Sequence, residues 1–220
     1  MNEMNINVEN YPEDPDLLIP FSVTYREGGD YDISCYRDVL DIVTGYAEIA
    51  SDLPFSSEAA AFLKERLDGI FCPKGYELQI EDDCVYLLDK AVEPNGSITA
   101  VNARDAVGFE NLCEIDLDEA AELGQEAFVY AEDQKIVSVA VENYTHKGET
   151  EIAVETAPEY RRRGFAAAAS VALCNDIIAS GGKVTWHCSA DNKASCLLAE
   201  AIGFRVDGRE MYFCYYKKDQ

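Results

Sequence analysis

Residues 151–179 read EIAVETAPEYRRRGFAAAASVALCNDIIA. The first six form a strand, and the run from Gly164 onward forms a helix. Four consecutive alanines (166–169) open that helix, Val171, Leu173, Ile177 and Ile178 carry its apolar side, and Gly181-Gly182 stops it. Between strand and helix lies the turn Pro158-Glu159-Tyr160-Arg161-Arg162-Arg163-Gly164-Phe165-Ala166. A helix start offers unpaired N–H groups and the positive end of a dipole. Gly164 and the small Ala166 let a ligand approach the backbone. Three adjacent arginines oppose the helix dipole, which disfavours a merely solvated turn. Together these features predict an anion site, and a pyrophosphate fits it best. It is no Walker A loop, because no Gly-Lys-Ser/Thr follows, and no Rossmann fingerprint, because the G-x-G-x-x-G spacing is absent.

Working outward, 184–189 reads as a strand, 192–202 as a helix ended by Gly203, and 211–216 as a last strand. Upstream, 127–131 and 136–141 are apolar runs joined by Glu132-Asp133-Gln134-Lys135, a hairpin signal. Residues 116–123 read as a short helix and 98–102 as a strand. Pro94-Asn95-Gly96 is a turn and the most plausible domain boundary, which divides the chain into 1–95 and 96–220. In the first part, 21–25 reads as a strand, 33–50 as a helix, and a second helix follows Pro54 with Ser56 or Ser57 as its cap. Residues 76–80 and 84–88 look like a hairpin across Glu81-Asp82-Asp83. The first 95 residues are therefore expected to form a mainly helical module.

The chain has 220 residues with 42 acidic and 18 basic side chains, a net charge of −24. Residues 1–110 hold 23 acidic and 7 basic residues, net −16, and residues 111–220 hold 19 and 11, net −8. That charge argues against nucleic acid and anionic membranes as partners and suits cationic ones. The 48% hydrophobic content supports a packed core. Eight cysteines occur with no C-x-x-C pair and only His146 and His187 beside them, so no metal site is expected. The N-terminus has no basic region followed by an apolar core, and no stretch reaches 18 apolar residues. A reducing cytoplasm is the expected location.

Arg161-x-x-Gly164-x-Ala166, after a strand and opening a helix, resembles the R/Q-x-x-G-x-G/A signature of the GNAT N-acetyltransferase superfamily. The preceding strand with its Pro158-x-Tyr160-Arg161 exit is similar to the family's fourth strand. Asn192-x-x-Ser195-x-x-Leu198-Ala199-Glu200-x-x-Gly203-Phe204 is similar to its N-x-x-A/S-x-x-L-Y-E-x-x-G-F segment. The resemblance covers roughly residues 97–217 and points to the subset with an extra N-terminal region. It implies an α/β (α+β) fold, a mixed and mostly antiparallel sheet flanked by helices. The mainly helical module would cover one edge of it and form part of the acceptor site.

The resemblance also implies the chemistry: acetyl transfer from acetyl-CoA, as co-substrate, to an amine. The backbone of Val154, Glu155 and Thr156 would pair with the pantetheine arm. Amides of Arg162, Arg163, Gly164, Phe165, Ala166 and Ala167 would hold the pyrophosphate, and Arg161, Arg162 or Arg163 would reach the 3′-phosphate. Asn192, which also reads as a helix cap, would bond the arm, with Ser195 on the same face. An amine must lose a proton to attack the thioester, so a base is needed. Glu151 and Glu155 share strand parity and are candidates, as is Glu142. Where the family often has a tyrosine acid, this chain has Ala199; Cys196, His187, Tyr212 and Tyr215 are the replacements, or no acid is used. Of these, His187 stands where substrate would enter. The acceptor expected is a small cationic amine. A protein N-terminus or lysine, or a catalytically weak acyl-CoA sensor or scaffold, remain rival readings. The oligomeric state, a homodimer included, is left open.

Overall fold

The computed structural model describes residues 4–10, 16–26, 31–50, 56–94 and 98–218. They divide into two compact units: 4–84 with 189–191 and 207–218, and 85–188 with 192–206.

In the first unit, β1 (Met4–Glu9), β2 (Leu17–Arg26) and β3 (Tyr31–Tyr36) precede two helices, α1 (Leu40–Ile49) and α2 (Ser57–Phe71). The strand β4 (Tyr76–Leu88) follows, and β11 (Arg205–Lys217) returns from the far end of the chain. The order is β1-β3-β2-β11-β4, with β1 parallel to β3 and both β3 and β11 antiparallel to β2. Ala59, Leu63, Leu67 and Phe71 recur every four residues, so α2 buries one stripe. Ser56 caps this helix, its hydroxyl accepting from the Ala59 amide at 3.1 Å. The core is aromatic: Phe21 packs edge-on to Tyr46 and Phe213, with centroids 4.9 and 5.7 Å apart, and Phe71 meets Tyr215 at 4.8 Å.

Three expectations change here. The unit is mixed rather than mainly helical, because strands lead it. The helix expected over 33–50 is a strand and then a helix. Tyr31, Ile33 and Cys35 are buried in alternation with Asp32 and Ser34, and helical spacing begins only at Val39. The acidic triplet 81–83 does not turn. β4 runs through it as one strand, with Arg209 paired to Asp82 and the Tyr216 hydroxyl donating to Glu81 at 2.9 Å. Pro54 and the Asn95-Gly96 turn lie outside the described residues.

The second unit contains β5 (Val101–Asn102), β6 (Glu110–Asn111), α3 (Leu117–Glu122), β7 (Ala127–Glu132), β8 (Lys135–His146), β9 (Glu149–Thr156), α4 (Phe165–Ala179), β10 (Lys183–Ser189) and α5 (Lys193–Ile202). Its order is β4-β10-β9-β8-β7-β5, with β6 parallel to β8. The strand expected at 98–102 shortens to two residues. β7 and β8 turn on Asp133 and Gln134, with φ +48° and +60°, and β8 and β9 turn on Lys147 and Gly148, with φ +50° and +81°. Two consecutive left-handed residues are what a tight hairpin requires. The sheet is mixed and mostly antiparallel, with α4 against β7, β8 and β9. No described helix is long and apolar enough to cross a membrane.

Candidate functional site

The parallel pair β9 and β10 is short. Its register runs Lys183 with Glu149, Val184 with Thr150 and Thr185 with Glu151, and it stops there. β9 stays paired with β8 as far as Thr156. From Ile152 on, the β10-facing edge of β9 is therefore outside this ladder, along the residues expected to pair with a pantetheine arm. Val154 and Thr156 are half-buried on this stretch. The Thr156 carbonyl is already used, accepting from Arg161 Nε at 3.0 Å.

At the end of β9 the chain turns through two left-handed residues, Arg162 at φ +64° and Gly164 at φ +86°. Left-handed residues of this kind occur in the backbone nests that cradle anions. Gly164 is the N-cap of α4, which has no side-chain cap and no acidic residue in its first turn. The amides of Phe165, Ala166 and Ala167 thus keep the orphan status of a helix start. A Cβ at Gly164 would stand 3.3 Å from Ile98 Cδ1 and would carry the strain of a positive φ. The Phe165 ring is buried and stacked on Tyr130 at 4.1 Å.

The three arginines separate into different roles. Arg163 donates to Glu132 at 2.7 Å and lies 4.7 Å over the Phe165 ring. Arg161 is fastened to Thr156. Arg162 is exposed and makes no ion pair or hydrogen bond among the described residues.

Further along, Asn192 caps α5, its Oδ1 accepting from the Ser195 amide at 3.2 Å. The Ser195 hydroxyl accepts from Trp186 Nε1 at 2.9 Å, which ties the first turn of α5 to β10.

Glu151 pairs with Thr185, and His187 lies two residues beyond, so strand alternation puts Glu151, Glu155, Thr185 and His187 on one face. Trp186 and Cys188 face α5 on the other side. The two carboxylates then differ. Glu155 Oε2 accepts from the amides of Glu114 at 2.7 Å and Ile115 at 3.0 Å, which anchors the loop before α3. Burial, and then the Glu155 charge, push the neighbouring Cys113 thiol up to about 11. Glu142 is occupied likewise, accepting from the Glu126 amide at 3.1 Å. Glu151 is half-buried beside Tyr144, its cross-strand partner on β8.

Tyr144 is 63% exposed and was missed from sequence. A β-bulge between Glu142 and Tyr144 sets it opposite Glu151. The available signal was the change from the apolar run ending at Val141 to Glu142-Asn143-Tyr144-Thr145-His146. Two of the candidate acids fall in the first unit. Tyr215 is fully buried there, its hydroxyl donating to Asp68 at 2.8 Å, and burial and that carboxylate push its phenol far up. Tyr212 pairs with Ser22 of β2. Ala199 is fully buried in α5.

On the Glu155 face, the α3 region encloses a cavity of about 510 Å³. Its walls include Arg104, Phe109, Glu114, Ile115, Leu117 and Glu126. Asn102 Nδ2 donates to Glu126 at 3.1 Å, and Arg104 pairs with the same carboxylate.

This arrangement has counterparts. Residues 125–215 match the family model described as GNAT acetyltransferase. Solved structures agree on the fold. A GNAT-family protein from Novosphingobium aromaticivorans is 21% identical with a TM-score of 0.51, over 66% of this chain and 69% of its own. A GCN5-related N-acetyltransferase-like protein from Streptococcus suis is 16% identical at 0.50, over 90% of this chain and 88% of its own. A GNAT-family acetyltransferase from Colwellia psychrerythraea is 11% identical at 0.50, over 91% and 82%. No curated protein sequence matches the chain. The GNAT family uses acetyl-CoA as co-substrate. The left-handed cradle, the uncapped α4 and the parted edge of β9 fit its pyrophosphate and arm. No group of three or more metal-ligating side chains gathers among the described residues.

Proposed function

We propose that the protein transfers the acetyl group of acetyl-CoA to the nitrogen of an amine. The observation that carries this reading is the pairing of Arg162 and Gly164, both left-handed, at a helix start that no side chain caps. The unpaired amides of Phe165, Ala166 and Ala167 would hold an anion there, and Arg162 adds a charge with no other partner among the described residues. Val154 and Thr156 then lie along a strand edge that would guide the arm toward Glu151.

Acetyl-CoA, when bound, supplies an activated acyl thioester. The chain's own residues do the rest. Glu151 takes the proton of the attacking amine, directly or through one water. Glu155 is already committed to two backbone amides, which leaves Glu151 as the better base. Tyr144, opposite Glu151 and solvent-reaching, or His187 on the same face, returns a proton to the leaving sulfur. Asn192 and Ser195 flank the far side of the arm, with Asn192 committed first to capping α5.

For the acceptor, the α3 cavity favours a small cationic amine. Glu114, Asp116, Asp118 and Glu126 line it against the single Arg104. Its volume is that of a small-molecule pocket. Incubating the full chain with acetyl-CoA and a panel of primary amines, following released thiol, tests this. Turnover on cationic amines is expected, with Glu151→Gln lowering kcat roughly 100-fold at unchanged KM for acetyl-CoA. Tight CoA binding with no turnover on any amine or peptide would instead mark an acyl-CoA-binding protein. Acetylation of peptides alone would move the acceptor to protein.

A further inference from the structure

Two thiols in the second unit meet at the first turn of α5. Cys188 is the penultimate residue of β10, and Cys196 is the fourth residue of α5. Their sulfurs lie 3.7 Å apart, van der Waals contact, and neither is bridged. Cys188 is 8% exposed, whereas Cys196 is half-buried and open to solvent on one side. Two positions away on the same strand, Trp186 holds Ser195, the residue before Cys196. One strand face therefore grips one helix turn at two adjacent points, one by a hydrogen bond and one by a pair of thiols.

We propose that Cys188 and Cys196 form an intramolecular disulfide when the protein meets a hydroperoxide. The Cys196 sulfur attacks the peroxide oxygen, the O–O bond breaks, and Cys196 becomes a sulfenic acid while the hydroperoxide leaves as an alcohol or as water. The Cys188 sulfur then attacks the Cys196 sulfur, the S–O bond breaks, and water departs with the Cys188 proton. The two thiols are oxidised by two electrons and the hydroperoxide is reduced by two. Because a disulfide bond is about 2.05 Å long, the sulfurs must close by about 1.7 Å, a small movement of one helix turn.

Three of the other cysteines compete poorly. Burial pushes Cys174 up to about 12; burial and Glu81 do the same for Cys214, and burial and Glu155 push Cys113 up to about 11. Oxidation follows thiolate content and exposure, so these three react slowly. The bridge closes the short loop that contains Asn192 and Ser195, and it fixes the turn of α5 that Asn192 caps.

The test uses the full chain and hydrogen peroxide as the probe. Two of the eight thiols are expected to disappear. The intact mass should fall by about 2 Da, and unreduced peptide mapping should link Cys188 to Cys196. Trp186 is the only tryptophan, and its indole sits on the moving turn, so its fluorescence should step with the bridge and return on adding dithiothreitol. Cys196→Ala should abolish both the bridge and the step. Cys188→Ala should leave Cys196 as a sulfenic or sulfinic acid with no mass loss. Three wild-type results would overturn the proposal: a link between any other pair, a link between two chains, or Cys196 passing to sulfinic acid with Cys188 still reduced.

Discussion

Two helix starts in the second unit solve the same problem in opposite ways. Both α4 and α5 follow a strand through a short turn, and both begin with orphan amides. At α5 the protein satisfies them itself, with Asn192 Oδ1 accepting from the Ser195 amide. At α4 it supplies a left-handed glycine that has no side chain to offer. Ser56 at α2 and Asp116 at α3 follow the α5 pattern, and α1 continues directly from the 3₁₀ turn at Arg37–Val39. An uncapped start in a chain that caps its other loop-entered helices marks a place kept for something else.

The comparison can be broken most sharply at Gly164. Gly164→Val puts a branched side chain at φ +86° and into the cradle, so CoA affinity should fall by roughly 100-fold in calorimetry, with the circular dichroism spectrum retained. Unchanged affinity would mean that α4 is an uncapped helix and nothing more. Next is Arg162→Gln, which removes the one arginine of the three that is without a partner among the described residues. A loss of about 10-fold is expected, shrinking as salt is raised, because the contact is charged and exposed. At the capped start, Asn192→Ala should cost about 1 kcal/mol in denaturant unfolding, with only a small change in CoA affinity. A large loss of affinity without a stability change would show that Asn192 serves the arm before it serves the helix. The smallest effect belongs to Arg163→Ala. Its ion pair with Glu132 is half-exposed and worth about 0–1 kcal/mol, so both stability and affinity should stay close to wild type.

These contrasts show where sequence was informative. The strand, turn and helix of 151–179 and the hairpin before it fold as their residues indicate, because local pattern and tertiary setting agree there. That α4 starts at Gly164 and that Asn192 caps α5 were legible from residue type and spacing. The division of labour among the arginines was not, because it depends on Glu132 and Thr156, distant or neighbouring partners that spacing does not reveal. Glu155 illustrates the same limit: parity placed it beside Glu151, but its two amide donors come from a loop about 40 residues earlier. In the first unit, the acidic triplet 81–83 looked like a turn because its cations, Arg209 above all, lie more than 120 residues downstream. Tyr31–Tyr36 was hidden by a helical pattern that begins just after it.

The short register between β9 and β10 has a mechanical side. β8 and β9 are held by eight paired positions and β7 and β8 by six, but β9 and β10 by only three. Among the strands β7 to β10, that seam has the shortest backbone ladder and is the one expected to open first, whether by local opening or under tension along the strands. Amide exchange should therefore run faster at residues 183–185 than at 136–141. The short β9–β10 ladder and the proposed cofactor groove meet at the same residue pair, Glu151 and Thr185.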